Sequence, residues 1–119
     1  MSKRIFIVYG HHNTKKSFNQ SIRDTFIDEA KKNGHEIDLI NLHDEKPIPF
    51  FDGSPPSEQI FDYRKRLEQS DVMFMISPCY NLRATAILEN WIDLVLAPKW
   101  FFSFKRIFMN YGFPESGAC

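Results

Sequence analysis

Two short segments hold most of the side chains that could do chemistry. The first, HHNTKKSFNQ at 11–20, brings imidazoles, carboxamides, hydroxyls and ammonium groups together directly before a helix-like stretch. Such a set suits an anion, and a phosphate in particular. A helix beginning at Ser17 presents unpaired backbone N–H groups and the positive end of its dipole. Thr14 and Ser17 add hydroxyl donors, Asn13 and Asn19 amide donors, and His11 and His12 ring N–H groups. Lys15 and Lys16 would speed the arrival of a phosphate whether or not they touch it. The plainer alternative is that Ser17 is an ordinary N-cap and the histidines ordinary loop residues. No glycine-rich fingerprint is present, so neither a P-loop nor a dinucleotide motif can be claimed.

The second segment, SPCYNL at 77–82, suits a flat ring. Tyr80 or Leu82 could pack on a ring face while Asn81 and backbone N–H groups bond its edge. Nothing nearby in sequence activates Cys79 as a nucleophile, and it reads as a small inert turn residue. A metal centre from His11, His12, His43 and Cys79 lacks any C-x-x-C or H-E-x-x-H spacing.

These loops need elements to hold them, and the chain supplies strand and helix in alternation. The apolar run at 5–9 predicts a strand covered on both faces. Phe18, Ile22, Phe26, Ile27 and Ala30 form one stripe of a helix over 17–33, with a Ser17/Gln20 capping box and a Gly34 stop. A second strand covers 36–42. The prolines and glycine of 43–56 predict a long loop without regular structure. A helix over 57–70 turns Ile60, Tyr63 and Leu67 inward. A third strand follows at 72–76, a third helix at 84–97 and a fourth strand at 106–110. Strand–helix alternation implies right-handed crossovers and a doubly wound α/β parallel sheet. Ligands of such sheets bind beyond the carboxyl ends of the strands at the topological switch point, and both unusual loops follow strands that would flank it.

Composition narrows the class. The 119 residues suit one domain, 1–119, with 43% hydrophobic content typical of a globular fold. Fifteen basic and fifteen acidic residues cancel, so no global field favours nucleic acid or an anionic membrane. No run reaches the length of a membrane span and no signal peptide is visible, which predicts a cytoplasmic protein with reduced cysteines.

At this point the chain resembles the flavodoxin-like NAD(P)H-dependent oxidoreductases, the group of quinone reductases, drug-activity modulators and FMN reductases. The strand–VYGHHNTKKSFNQSI–helix unit is similar to that family's phosphate loop, a histidine followed by Ser-Phe-Asn. SPCYNLRATAILENWIDLVL is similar to its Ser/Pro-x-Tyr-Asn loop and following helix, and MNYGFPES stands where its third flavin loop lies. The resemblance implies a sheet of order 2-1-3-4 with the family's fifth strand missing, and so a shortened domain or one that depends on an oligomer. It implies FMN (FAD would place its phosphate at the same loop) and NAD(P)H as electron donor to a quinone or similar small acceptor. His11 or His12, Thr14, Ser17, Phe18 and Asn19 would hold the phosphate. Pro78, Cys79, Tyr80, Asn81 and Leu82 would border the isoalloxazine ring, and Asn110, Tyr111, Gly112 and Phe113 would close its other edge. Because the flavin carries the hydride, no catalytic side chain is required.

Arg83, Thr85 and Glu89 depart from the family pattern and bear on substrate choice. The broad apolar stripe of the third helix suits either a deeply buried helix or one that also offers surface to a second subunit; the resemblance implies a homodimer through this helix and the aromatic region of Trp100, Phe101, Phe102 and Phe104 beyond it. The alternative function is a flavin- or nucleotide-binding module without catalysis, or an inactive fragment.

Overall fold

The computed structural model describes residues 1–12 and 16–96, and the backbone of 107–112. Asn13, Thr14, Lys15, Phe113 and the aromatic cluster of Trp100, Phe101, Phe102 and Phe104 lie outside the described residues, so expectations placed on them are not met or denied here. The elements are β1 (Arg4–Tyr9), α1 (Phe18–Lys32), β2 (Glu36–Asn41), α2 (Glu58–Glu68), β3 (Val72–Pro78), α3 (Ala86–Val95) and β4 (Ile107–Gly112). The strands pair in parallel in the order β2-β1-β3-β4.

Strand alternation divides the core in two. Ile5, Ile7 and Tyr9 of β1 join Ile76 of β3 and Ala30 of α1 on one face. Phe6 and Val8 join Met73 and Met75 of β3 on the other, beneath Ile60, Tyr63 and Leu67 of α2 and Leu88, Trp91 and Val95 of α3. A strand whose successive side chains enter two separate cores must read as a continuous apolar run. Arg66 of α2 binds Asp38 of β2 with both sides of its fork and lies over the Phe6 ring, tying helix to sheet. Arg64 donates to the carbonyls of Leu94 and Val95 at 2.9 and 3.0 Å and so satisfies the end of α3.

The helix ends follow local chemistry. Ser17 Oγ accepts from Gln20 N, and Ser57 Oγ accepts from Ile60 N. Gly34, at φ +80°, ends α1 while His35 N and Gly34 N donate back to Ala30 O and Lys31 O.

Several expectations need correction. Phe18 is 62% exposed and does not belong to the inward stripe, because the first helical position precedes the turns that rest on the sheet. The loop after β2 begins with one turn of 3₁₀ helix, Leu42–Asp44, anchored by buried Leu42. The third helix starts at Ala86, because Ala84 and Thr85 are drawn into the sheet edge instead. Asn110, Tyr111 and Gly112 belong to β4 rather than to a loop after it, since their backbones stay in register with Ile76, Ser77 and Pro78.

Candidate functional site

β1 ends against β3, with Gly10 N donating to Ile76 O at 2.9 Å. A Cβ at position 10 would lie 2.9 Å from Leu88 Cβ and 3.1 Å from Thr85 Oγ1, so only glycine lets β1 come this near α3. Thr85 uses that closeness. Its hydroxyl donates to Gly10 O at 2.8 Å, and its N–H donates to Ser77 Oγ at 3.0 Å. Ser77 Oγ in turn donates to Pro78 O at 2.8 Å. Ser77 and Thr85 are buried, and this chain of bonds locks the first loop, the second loop and the start of α3 together.

From this base the first loop rises as a stack of rings. His11 lies 5.9 Å from Tyr9 at an interplanar angle of 7°, and His12 lies 4.8 Å from His11 at 14°. The Arg23 guanidinium covers the Tyr9 ring at 4.6 Å and donates to Asn41 Oδ1 at 2.9 Å. Tyr9 Oη and Ser17 Oγ are 3.4 Å apart, which brings the N-cap to the base of the stack. Behind it a cavity of about 120 Å³ is lined by Tyr9, His11, Gln20, Arg23, Asn41 and His43.

The second loop is a two-residue hairpin. Tyr80 and Arg83 exchange backbone bonds of 2.9 and 3.0 Å, with Asn81 at φ 52° and Leu82 at φ 64° between them. Left-handed backbone suits asparagine but strains leucine, at about 1–3 kcal/mol. Leu82 is nevertheless 81% exposed, so packing against the domain does not offset that cost. Tyr80 reaches from this hairpin to the first loop, its hydroxyl 2.6 Å from His12 Nδ1. Partial burial, and then the neighbouring Tyr9, push the Tyr80 hydroxyl above the usual phenol range.

The structure therefore brings His11, His12, Ser17, Phe18, Asn19 and Pro78 to Leu82 to one edge of the sheet, with the backbone of Asn110 to Gly112 beside Pro78. Gly10, Thr85 and Arg23 were not foreseen as part of the site, and Ser77 stood in the second segment without an assigned role. Gly10 closing an apolar run was the available signal, and Thr85 was noticed only as a departure. Among the described residues no group of three or more His, Cys, Asp or Glu could hold a metal ion. The roomier groove, about 430 Å³ between the loop at 48–57 and α2 and α3, contains none of the predicted site residues.

With this geometry in place the relationships of the chain can be stated. Residues 3–117 match the family described as having a flavodoxin-like fold. The chain belongs to that family. This flavodoxin-like domain is 26% identical over 140 residues to the ribosyldihydronicotinamide dehydrogenase [quinone] of Mus musculus, covering 97% of the chain and 58% of the relative. It is 28% identical over 123 residues to FMN-dependent NADH:quinone oxidoreductase 4 of Burkholderia lata, covering 88% and 61%. The NAD(P)H:quinone oxidoreductase structure from Methanothermobacter marburgensis superposes with a TM-score of 0.77 at 15% identity, covering 100% of the chain and 87% of that one. The domain thus spans about three-fifths of the curated relatives' length.

The residues can be tested against a flavin mononucleotide on the domain's own atoms. Asn19 is 5% exposed and its Oδ1, like Gln20 Oε1, is buried without a hydrogen-bond partner. Unmatched buried acceptors at a helix start call for a donor. A ribityl hydroxyl would supply such a donor, and first-turn N–H groups with Ser17 would be available to a phosphate. The residues present fit the group. No helix among the described residues is long and apolar enough to cross a membrane.

Proposed function

We propose that this domain binds FMN at the edge between β1 and β3 and passes hydride from NAD(P)H to a quinone or a similar small acceptor. One observation carries the reading: the histidine–Ser-Phe-Asn loop and the Tyr-Asn loop, 68 residues apart at their contact, meet through Tyr80 and His12. The relatives' names support the same chemistry. When bound, FMN supplies the hydride chemistry itself.

The chain's part is to bind and orient. Ser17, the first-turn N–H groups and Asn19 hold the phosphate end, with His11 or His12, Thr14 and Phe18 around it. The dipole of α1 favours the anion. Pro78, Cys79, Tyr80, Asn81 and Leu82 border the ring. Asn81, held at φ 52°, turns backbone polar groups toward the ring edge while Leu82 offers an apolar cover. Asn110, Tyr111, Gly112 and Phe113 close the far edge. We read the sheet as the first four strands of the resembled arrangement, and we place a homodimer interface along α3. The cytoplasm supplies the NAD(P)H donor.

The test is oxidation of NADH and NADPH by menadione with purified chain, with and without added FMN. FMN-dependent turnover supports the reading. Flavin retention without turnover would favour a binding module instead, and neither would end both.

A further inference from the structure

Strand pairing leaves one carbonyl at the site without its expected donor. In a parallel ladder, a residue that donates to one position on its neighbour accepts in turn from the residue two places further on. Gly10 N donates to Ile76 O at 2.9 Å, so the donor due to Gly10 O is the N–H of residue 78. Residue 78 is proline and has none. The Thr85 hydroxyl takes its place, donating to Gly10 O at 2.8 Å. Thr85 gives up its ordinary role to do so. It is the N-cap of α3, yet its side chain makes no capping bond to the first turn. Its backbone is held meanwhile by the 3.0 Å bond from its N–H to Ser77 Oγ. A buried hydroxyl diverted from its own helix to a carbonyl 75 residues away serves that carbonyl, not the helix.

That carbonyl begins the first loop. The Gly10–His11 peptide is trans and planar, so its C=O and N–H point in opposite directions. With the C=O held at α3, the His11 N–H is turned away from α3, toward the face of the sheet that α1 covers. The N-cap of α1 is close by, with Ser17 Oγ 3.4 Å from Tyr9 Oη. Resting on the flavin reading above, we propose that Thr85 is a positioning residue for the phosphate. Its hydroxyl replaces the ladder donor that Pro78 lacks, and so sets the His11 N–H and the entry of the first loop for the phosphate end of FMN. Thr85 acts through that peptide and is itself buried. The second loop keeps its own hairpin bonds between Tyr80 and Arg83, so loss of the hydroxyl falls on the phosphate end.

The test compares affinities for FMN and riboflavin, which differ only in the phosphate, by quenching of flavin fluorescence. Thr85→Val keeps the shape and removes the hydroxyl. It should lower the ratio of FMN to riboflavin affinity about tenfold, the worth of one hydrogen bond to a charged group. Thr85→Ser should keep the wild-type ratio. Pro78→Ala supplies the missing N–H, and in the Thr85→Val background it should restore the ratio, which a general loosening of the fold would not allow. Any effect of Pro78→Ala on the ring is common to the two flavins. If Thr85→Val alone does not fold, the double variant still decides, since the restored donor should bring back both folding and the ratio. An unchanged ratio in Thr85→Val, or one that Pro78→Ala fails to restore, overturns the proposal. Wild-type protein that binds the two flavins equally well overturns it too, because there is then no grip on the phosphate. Wild-type protein that binds neither flavin overturns the flavin reading, and the proposal with it.

Discussion

Gly10→Ala should damage both stability and ligand binding, and the size of the effect follows from the packing. The added methyl would sit 2.9 Å from Leu88 Cβ and 3.1 Å from Thr85 Oγ1. Ordinary carbon contacts begin several tenths of an ångström further out. Leu88 Cβ cannot swing aside, since it is fixed to the backbone of α3 and Leu88 is fully buried. Overpacking of this kind costs roughly 1–3 kcal/mol. Moving β1 off α3 also stretches the Thr85–Gly10 bond, whose net worth is about 1 kcal/mol. A loss of about 2–3 kcal/mol is therefore expected from urea denaturation, read as a lower midpoint at unchanged slope. FMN affinity should fall with it, because the same bond fixes the two loops relative to each other. Gly34→Ala is the informative contrast. Nothing lies within 4 Å of its Cβ, but its φ of +80° strains alanine by about 1 kcal/mol, and flavin affinity should be untouched. If Gly10→Ala proved no more destabilising than Gly34→Ala and bound FMN normally, the close-approach reasoning would be refuted.

Leu82→Gly should raise the melting temperature, since relief of left-handed strain outweighs glycine's extra unfolded entropy by roughly 0.5–1 kcal/mol. It should also weaken FMN binding, as the apolar cover is lost; a less stable variant would show that Leu82 packs usefully within the domain. Burial pushes the Tyr63 hydroxyl up to about 12, with its bond from Gln59 opposing and Glu45 reinforcing the shift. The unfolded chain releases that proton near pH 10 while the folded one keeps it. Stability should therefore hold to about pH 10 and then fall by at most about 1.4 kcal/mol per pH unit until about pH 12. Urea denaturation across this window, steep in wild type and flatter in Tyr63→Phe, checks the assignment.

What the sequence disclosed was local. Ser17 and Gly34 marked helix ends because caps act within a few residues of themselves. The apolar run of β1 marked a strand with two covered faces for an equally local reason. Phe18 was misjudged because periodicity cannot tell whether the first turn has yet reached the sheet. β3 and β4 extend beyond their expected ends because parallel partners keep donating and accepting there, which neither strand reveals alone. The site was legible as two loops but not as one assembly. Thr85 meets Gly10 across 75 residues and Tyr80 meets His12 across 68, and such contacts follow from topology rather than from spacing. Even the positive φ of Leu82 carried no sign, since leucine is the wrong residue for that backbone by every local rule.

The central claim is that the edge between β1 and β3 is a flavin site. The direct measurement is the visible absorption spectrum of the chain after incubation with FMN and desalting, followed by NADPH. A flavin band that survives desalting, weakens in Ser17→Ala and bleaches on addition of NADPH is the predicted result. A colourless protein, or a band indifferent to Ser17 and to NADPH, would contradict the account.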